Sequence, residues 1–258
     1  MRIKLVLAYD GTAYAGWQIQ KRPNAPKTVQ GAVEAALFVL TRQHIRLYGA
    51  GRTDSGVHAC GQVAHCDVPD GKRDWRYQLN SVLPKDIQIL AVEPVSSDFH
   101  ARFDALSKTY VYRFWQQKAY ILPHLQRYVW ACGPLDVEAI RPSLGKFLGM
   151  HDFASFQNCG THVQSTEREI LDIGLFEEPV SSLVPGCLPL VCLRVTGTGF
   201  LKQMVRNMAG FLLAISQKKA TWQELDGIML ARDRTRMPGI TAPACGLCLL
   251  KVEYERII

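Results

Sequence analysis

No run of the 258 residues is both long and apolar enough to span a bilayer. The most apolar helical stretch, Phe200 to Ser216, is interrupted by Lys202, Gln203, Arg206 and Asn207. The first strand candidate, Ile3 to Tyr9, has neither the long apolar region nor the small-residue cleavage site of a secretory signal. Low-complexity segments and short-period repeats are missing too, so the expectation is a soluble, cytoplasmic, folded protein with no membrane partner. A second Cys-x-x-Cys pair is also lacking. Of the eight cysteines, only Cys245 and Cys248 have a metal-like spacing, and tetrahedral zinc needs four ligands. The thiols therefore read as reduced, small hydrophobes, with no bound metal.

An acidic balance is absent as well. Lys plus Arg number 30 against 23 Asp plus Glu, a net charge of +7. Such an excess favours a polyanionic partner, because each neutralised phosphate releases a counterion. Many basic proteins bind no nucleic acid, so charge alone leaves the partner open. The cations are dispersed (Lys21-Arg22, Lys72-Arg73, Arg102, Lys108, Lys202, Arg206, Lys218-Lys219, Arg232 to Arg236), which suits a folded, charged cleft better than a basic tail.

What is present is a mixture of strand and helix patterns, 48% hydrophobic. Ile3 to Tyr9 alternates as a strand. Thr28 caps a helix running to about Arg42, with Val29, Val33, Ala36, Leu37 and Leu40 on one face. A glycine-punctuated loop, Gly49 to Gly61, precedes the strand Gln62 to Val68. A helix at Trp75 to Ser81 and a strand at Ile87 to Val92 close a β-α-β-α-β half. The second half opens on the strand Thr109 to Trp115, whose alternation puts Tyr110, Tyr112 and Phe114 on one face. Helices follow at Val137 to Leu148, Phe200 to Ser216 and Trp222 to Leu230, with strands at Glu167 to Phe176, Leu190 to Thr196 and Leu247 to Glu253. Glu177 to Pro189, with three prolines, reads as an exposed loop. The pattern predicts an α+β fold of two similar halves, residues 1–103 and 104–258.

The segment richest in chemistry is Gly49-Ala50-Gly51-Arg52-Thr53-Asp54-Ser55-Gly56-Val57-His58-Ala59. Three glycines within eight residues give a tightly turning backbone that can approach a ligand closely. A triphosphate loop would need Gly-Lys-Ser/Thr, and a dinucleotide loop would need glycine where Asp54 stands. What remains is one carboxylate between an arginine and a histidine. Spacing alone leaves Asp54 open between a turn cap, the commoner use, and a catalytic carboxylate.

Gly51 to Ala59 resembles the active-site motif of the TruA-type tRNA pseudouridine synthases, with Ser55 where alanine is usual. Further motifs are similar in order along the chain: Tyr9 to Thr12 with Gly16-Trp17-Gln18, Thr28 to Gly31, Phe99 to Phe103, Lys108 to Tyr112, Gly149 to Phe153, Gly199 to Asn207 and Pro243 to Leu247. The resemblance implies two ferredoxin-like or RRM-like half-domains with abutting antiparallel sheets, a basic cleft and a homodimer. It also implies an isomerase that turns uridine into pseudouridine at positions 38–40 of the tRNA anticodon arm, without cofactor or metal.

Each matched residue then acquires an implied role beside its ordinary one. Asp54 is the catalytic carboxylate, and Arg206 pairs with it. By periodicity Arg206 lies opposite the apolar stripe of its helix, where a solvated arginine is the usual reading. Gly210, one turn along on that face, hints that something approaches closely there. Tyr110 stacks on or hydrogen-bonds the target base, although a strand tyrosine is ordinarily core. Arg52 positions a phosphate or braces the turn, and Leu247 walls the pocket. His58 and His65 have no third metal ligand at sensible spacing and read as structural or RNA-facing. A non-catalytic RNA-binding protein would not need Asp54, Tyr110 and Arg206 together. A glycosidase would need two carboxylates where the motif supplies one.

Overall fold

The strand Arg2–Tyr9 (β1) buries every second side chain, Ile3, Leu5, Leu7 and Tyr9, as its alternation predicts. The computed structural model describes residues 1–71, 73–158, 160, 163–180 and 187–255. Lys72, Cys159 and residues 181–186 of the expected proline-rich loop lie outside the described residues. From β1 the chain continues through Val29–Thr41 (α1), Tyr48–Gly49 (β2), His58–Asp67 (β3), Trp75–Val82 (α2) and Ile87–Val95 (β4). Next come Ala105–Trp115 (β5), Trp130–Ala131 (β6), Val137–Leu144 (α3), Gly149–Asp152 (β7), Glu167–Glu178 (β8) and Leu190–Gly197 (β9). Met204–Ser216 (α4), Leu225–Ala231 (α5) and Leu247–Tyr254 (β10) complete it.

Two compact units result: Met1–Lys108 with Cys248–Ile258, and Thr109–Leu247. In the first unit β1 pairs antiparallel with β3 on one side and β4 on the other. The second edge of β3 is shared. β2 pairs antiparallel with its far end (Tyr48 opposite His65), and β10 pairs parallel with its near end (Cys248 opposite His58). The strictly antiparallel arrangement expected for the sheets therefore does not hold; the architecture is mixed α+β, with parallel pairing where the end of the chain returns. Thr28 caps α1 as expected, its side chain accepting from Gly31 N–H at 3.2 Å, a contact of about 1 kcal/mol.

In the second unit β9, β8 and β7 are successively antiparallel, and the short β6 runs parallel to β5. β5 is buried on both faces rather than one: Val111 and Trp115 are as buried as Tyr112 and Phe114. The helix expected from Phe200 begins at Met204, after Gln203 in the left-handed conformation at φ 61°. That residue re-aims the chain, so Phe200 and Leu201 lie before the helix rather than on its stripe. α4 is buried nearly all round, including Asn207, Ala209 and Gly210, so the expected solvated face is covered. What covers it is the segment leading to Ala242. A Cβ on Gly210 would stand 1.8 Å from the Ile240 carbonyl oxygen, a separation no side chain tolerates. The hint read from Gly210 is thus realised. Among the described residues no helix is long and apolar enough to cross a membrane.

Candidate active site

The loop carrying Asp54 connects β2 to β3 and is clamped from several sides within the first unit. Thr53 Oγ1 and the Tyr9 hydroxyl share a buried hydrogen bond of 2.8 Å. The Thr53 carbonyl accepts from Trp17 N–H at 3.0 Å, and the Asp54 carbonyl from Val57 N–H at 3.1 Å. Gln62 Nε2 donates to the Gly51 carbonyl at 2.9 Å. Ser55 Oγ and Gly56 N–H both donate to the Tyr14 carbonyl, at 3.1 and 3.3 Å. Gly16 has φ +89°, and a Cβ there would meet the Thr53 carbonyl oxygen at 2.6 Å, so glycine is required on two counts. The N-terminal segment around Asp10 to Trp17 is therefore the brace of the Asp54 turn. Burial raises the Tyr9 phenol well above its ordinary range, against the lowering effect of its bonds to Thr53 and Gln62, so the hydroxyl stays protonated.

Asp54 is half-buried and Arg52 exposed at the head of the turn. His58 is 4% exposed; its Nδ1 accepts from Gly11 N–H at 3.1 Å and lies 3.2 Å from Asp10 Oδ1. His65 is also buried, its Nδ1 accepting from Ala101 N–H at 3.1 Å. Both histidines are structural. Cys60 Sγ lies 3.5 Å from Cys248 Sγ, whereas Cys245 Sγ donates to the Val129 carbonyl. Among the described residues no three His, Cys, Asp or Glu side chains gather as metal ligands would.

Tyr110, Arg206 and Leu247 belong to the second unit. The Tyr110 ring meets Phe200 edge-on, with centroids 5.1 Å apart, and is buried. Arg206 is half-buried and bonded twice to Ala242: its Nε donates to the Ala242 carbonyl at 2.7 Å, and Ala242 N–H donates to the Arg206 carbonyl at 3.2 Å. The next step of that segment is held by the Tyr112 hydroxyl, which donates to the Pro243 carbonyl at 2.8 Å. Burial raises the Tyr112 phenol far above its usual range, and Arg206 is close enough to pull it down slightly. Leu247, 6% exposed, begins β10.

One part of the site escaped the sequence reading. Asn207, fully buried beside Arg206, donates to the carbonyl of Phe156 and to Asn158 Oδ1, and its own Oδ1 accepts from Thr241 Oγ1 at 2.7 Å and Arg234 at 3.3 Å. This network fixes Thr241, the residue before Ala242, and through it the Nε of Arg206. An asparagine next to an arginine on an otherwise apolar helix was the available signal; Thr241 and Arg234 carried none.

The profile of a family described as tRNA pseudouridine synthase matches residues 5–104 and 144–255. That defines the class: RNA-modifying isomerases. Asp54, Arg52, Arg206 and Leu247 fall within the matched segments, and Tyr110 falls between them. A protein of Solidesulfovibrio magneticus called tRNA pseudouridine synthase A is 48% identical, the match covering 98% of this chain and 91% of the relative. Proteins of the same name from Maridesulfovibrio salexigens and Oleidesulfovibrio alaskensis are 46% and 47% identical, covering 98% of this chain and 90% and 96% of theirs. The chain belongs to the tRNA pseudouridine synthase A (TruA) family.

Proposed function

We propose that the protein isomerises uridine to pseudouridine at positions 38–40 of the tRNA anticodon arm, with Asp54 as the catalytic carboxylate. The observation that carries this reading is the Asp54 turn. The half-buried Asp54 sits on a turn held by backbone bonds to Trp17, Tyr14 and Val57, beside an exposed arginine, in a protein of net charge +7. A stacked uridine cannot present its glycosidic carbon to such a group, so the base is extruded at a cost of a few kcal/mol, recovered through phosphate and base contacts. The C1′–N1 bond then breaks, the ring turns, and C1′–C5 forms. The C5 proton leaves and N1 gains one, so atoms balance without water, oxidant or metal. An ionised carboxylate serves either as nucleophile or as base in this sequence.

Arg206 is the cation that keeps Asp54 ionised and oriented, a role its anchoring to Ala242 suits, because a guanidinium held through Nε presents its remaining N–H groups in one direction. Tyr110 contacts the target base, Arg52 its phosphate, and Leu247 forms an apolar wall. Two ferredoxin-like half-domains with a basic cleft, and a homodimer in the cytoplasm, complete the reading. The test is incubation with unmodified tRNA transcripts and mapping of pseudouridine at nucleotide resolution. Product confined to positions 38–40 is expected, and its absence from all three overturns the proposal.

A further inference from the structure

The turn His100 to Asp104 is unusually well tied down for a surface segment. His100 Nδ1 accepts from the backbone N–H of Arg102 and Phe103, at 3.1 and 3.3 Å, and His100 N–H donates to Asp104 Oδ2 at 2.8 Å. Between them Ala101 is fully buried: its N–H donates to His65 Nδ1, and its carbonyl accepts from the Tyr254 hydroxyl at 2.6 Å. Yet this rigid turn holds Phe103 outward, 73% exposed. A single exposed apolar side chain needs no explanation. This one is part of a series. The Phe103 ring lies 4.2 Å from His100; His100 lies 5.9 Å from Tyr48, itself 48% exposed; and Tyr48 stacks on His65 at 5.1 Å, its register partner across β2 and β3.

Cations accompany the rings. The Arg102 guanidinium stands 5.6 Å from the centre of the Phe103 ring. Arg102 is also near enough to Lys108 to depress its ammonium, adding to the larger effect of burial. The Lys108 stem in turn runs beside the catalytic loop, with Cε at 3.4 Å from where a Cβ of Gly51 would stand. The aromatic platform thus runs, through Tyr48 at the start of β2, into the loop that bears Asp54, with Lys108 packed beside Gly51 of that loop, all within the first unit.

We propose that Phe103, backed by His100 and Tyr48, is a stacking platform for a single unpaired nucleobase adjacent to the target uridine, with Arg102 and Lys108 on its phosphate. This rests on the RNA-modifying function proposed above. Extruding a uridine removes a stacking partner from its neighbour, and a rigid exposed ring with a cation beside it supplies both the π-face and the charge that such a nucleotide requires. Every base offers a π-face, so the contact holds the RNA without selecting its sequence, as suits an enzyme acting at several positions.

The test uses the full chain and an unmodified anticodon stem-loop RNA carrying 2-aminopurine on either side of the target uridine. Wild type and Phe103→Tyr are expected to change the fluorescence of one of the two probes on binding. Phe103→Ala is expected to lose that change and to weaken binding by about 5- to 150-fold, the range for one stacked base, with the loss in KM rather than kcat. The ring is exposed, so thermal melts of the variant should match wild type. A Phe103→Ala protein that binds and perturbs the probe like wild type overturns the inference and leaves the function standing. So does a change of oligomeric state in that variant, which makes the platform a contact between copies of this chain. A wild-type protein that neither binds nor modifies the RNA removes the parent reading as well.

Discussion

Tyr9 and Thr53 are joined by a buried 2.8 Å hydrogen bond between the central strand β1 and the residue that precedes Asp54. The bond ties the position of the carboxylate to the core of the first unit. In Tyr9→Phe the ring keeps its packing, and Thr53 Oγ1 loses a buried partner. The expected result is a loss of about 1–2 kcal/mol in urea melts, with turnover falling more than stability because the turn loosens. Unchanged turnover would mean that Thr53 is held well enough by its carbonyl bond to Trp17.

Asp54→Asn should retain the turn, since the clamps on it run through the backbone and through Thr53, Ser55 and Gly56. Fold and tRNA affinity are expected to survive, and pseudouridine yield to fall by roughly a thousandfold or more, because an amide is neither a carboxylate nucleophile nor a base. A variant that lost only stability would return Asp54 to the role of turn cap.

Gly210→Ala places a methyl group 1.8 Å from the Ile240 carbonyl oxygen. The segment must move, and with it Ala242, on which Arg206 depends. A destabilisation of about 1–3 kcal/mol is expected, accompanied by a drop in kcat with little change in tRNA affinity. Loss of affinity instead would show that the segment holds RNA rather than the arginine.

His65 lets stability be read against pH. Burial foremost, then the neighbouring His100 and Arg2, lowers its imidazole to about 4, although Asp67 and Asp104 pull the other way. An unfolded histidine takes its proton near pH ~6.5. The folded form resists protonation, so its stabilising contribution is complete above that pH and is lost as the pH falls toward about 4. Urea midpoints of the wild type should decline across this window, and those of His65→Gln should decline less. Parallel curves would place the acid sensitivity elsewhere.

Much of this molecule could be read from residue patterns, and the failures have common physics. β1 and α1 came through because one face of each is buried, leaving a clean period of two or of 3.6. α4 did not. With both faces covered its periodicity carries little information, and Arg206 looked solvated because the irregular segment that covers it, Ile240 to Ala242, has no pattern of its own. β3 was expected to begin at Gln62 and begins at His58, since its start is stabilised by pairing with β10, far along the chain. The Asp54 motif was legible as chemistry, but the reason for its rigidity lies in Tyr9, Tyr14 and Trp17, which no local spacing connects to it.

The parallel pairing of β10 with β3 also sets an order of events during synthesis. The near half of the second edge of β3, where the Asp54 turn feeds into the strand, has β10 as its neighbour through Cys248 and Leu249. Every residue of the second unit leaves the ribosome before that neighbour does. Until then the His58 end of β3 is an open template for other strands, and closing it is a long-range step that local folding cannot hasten. The nascent chain thus completes the frame of the Asp54 turn only when β10 arrives, so a translation product interrupted before it would carry Asp54 in an unfinished sheet.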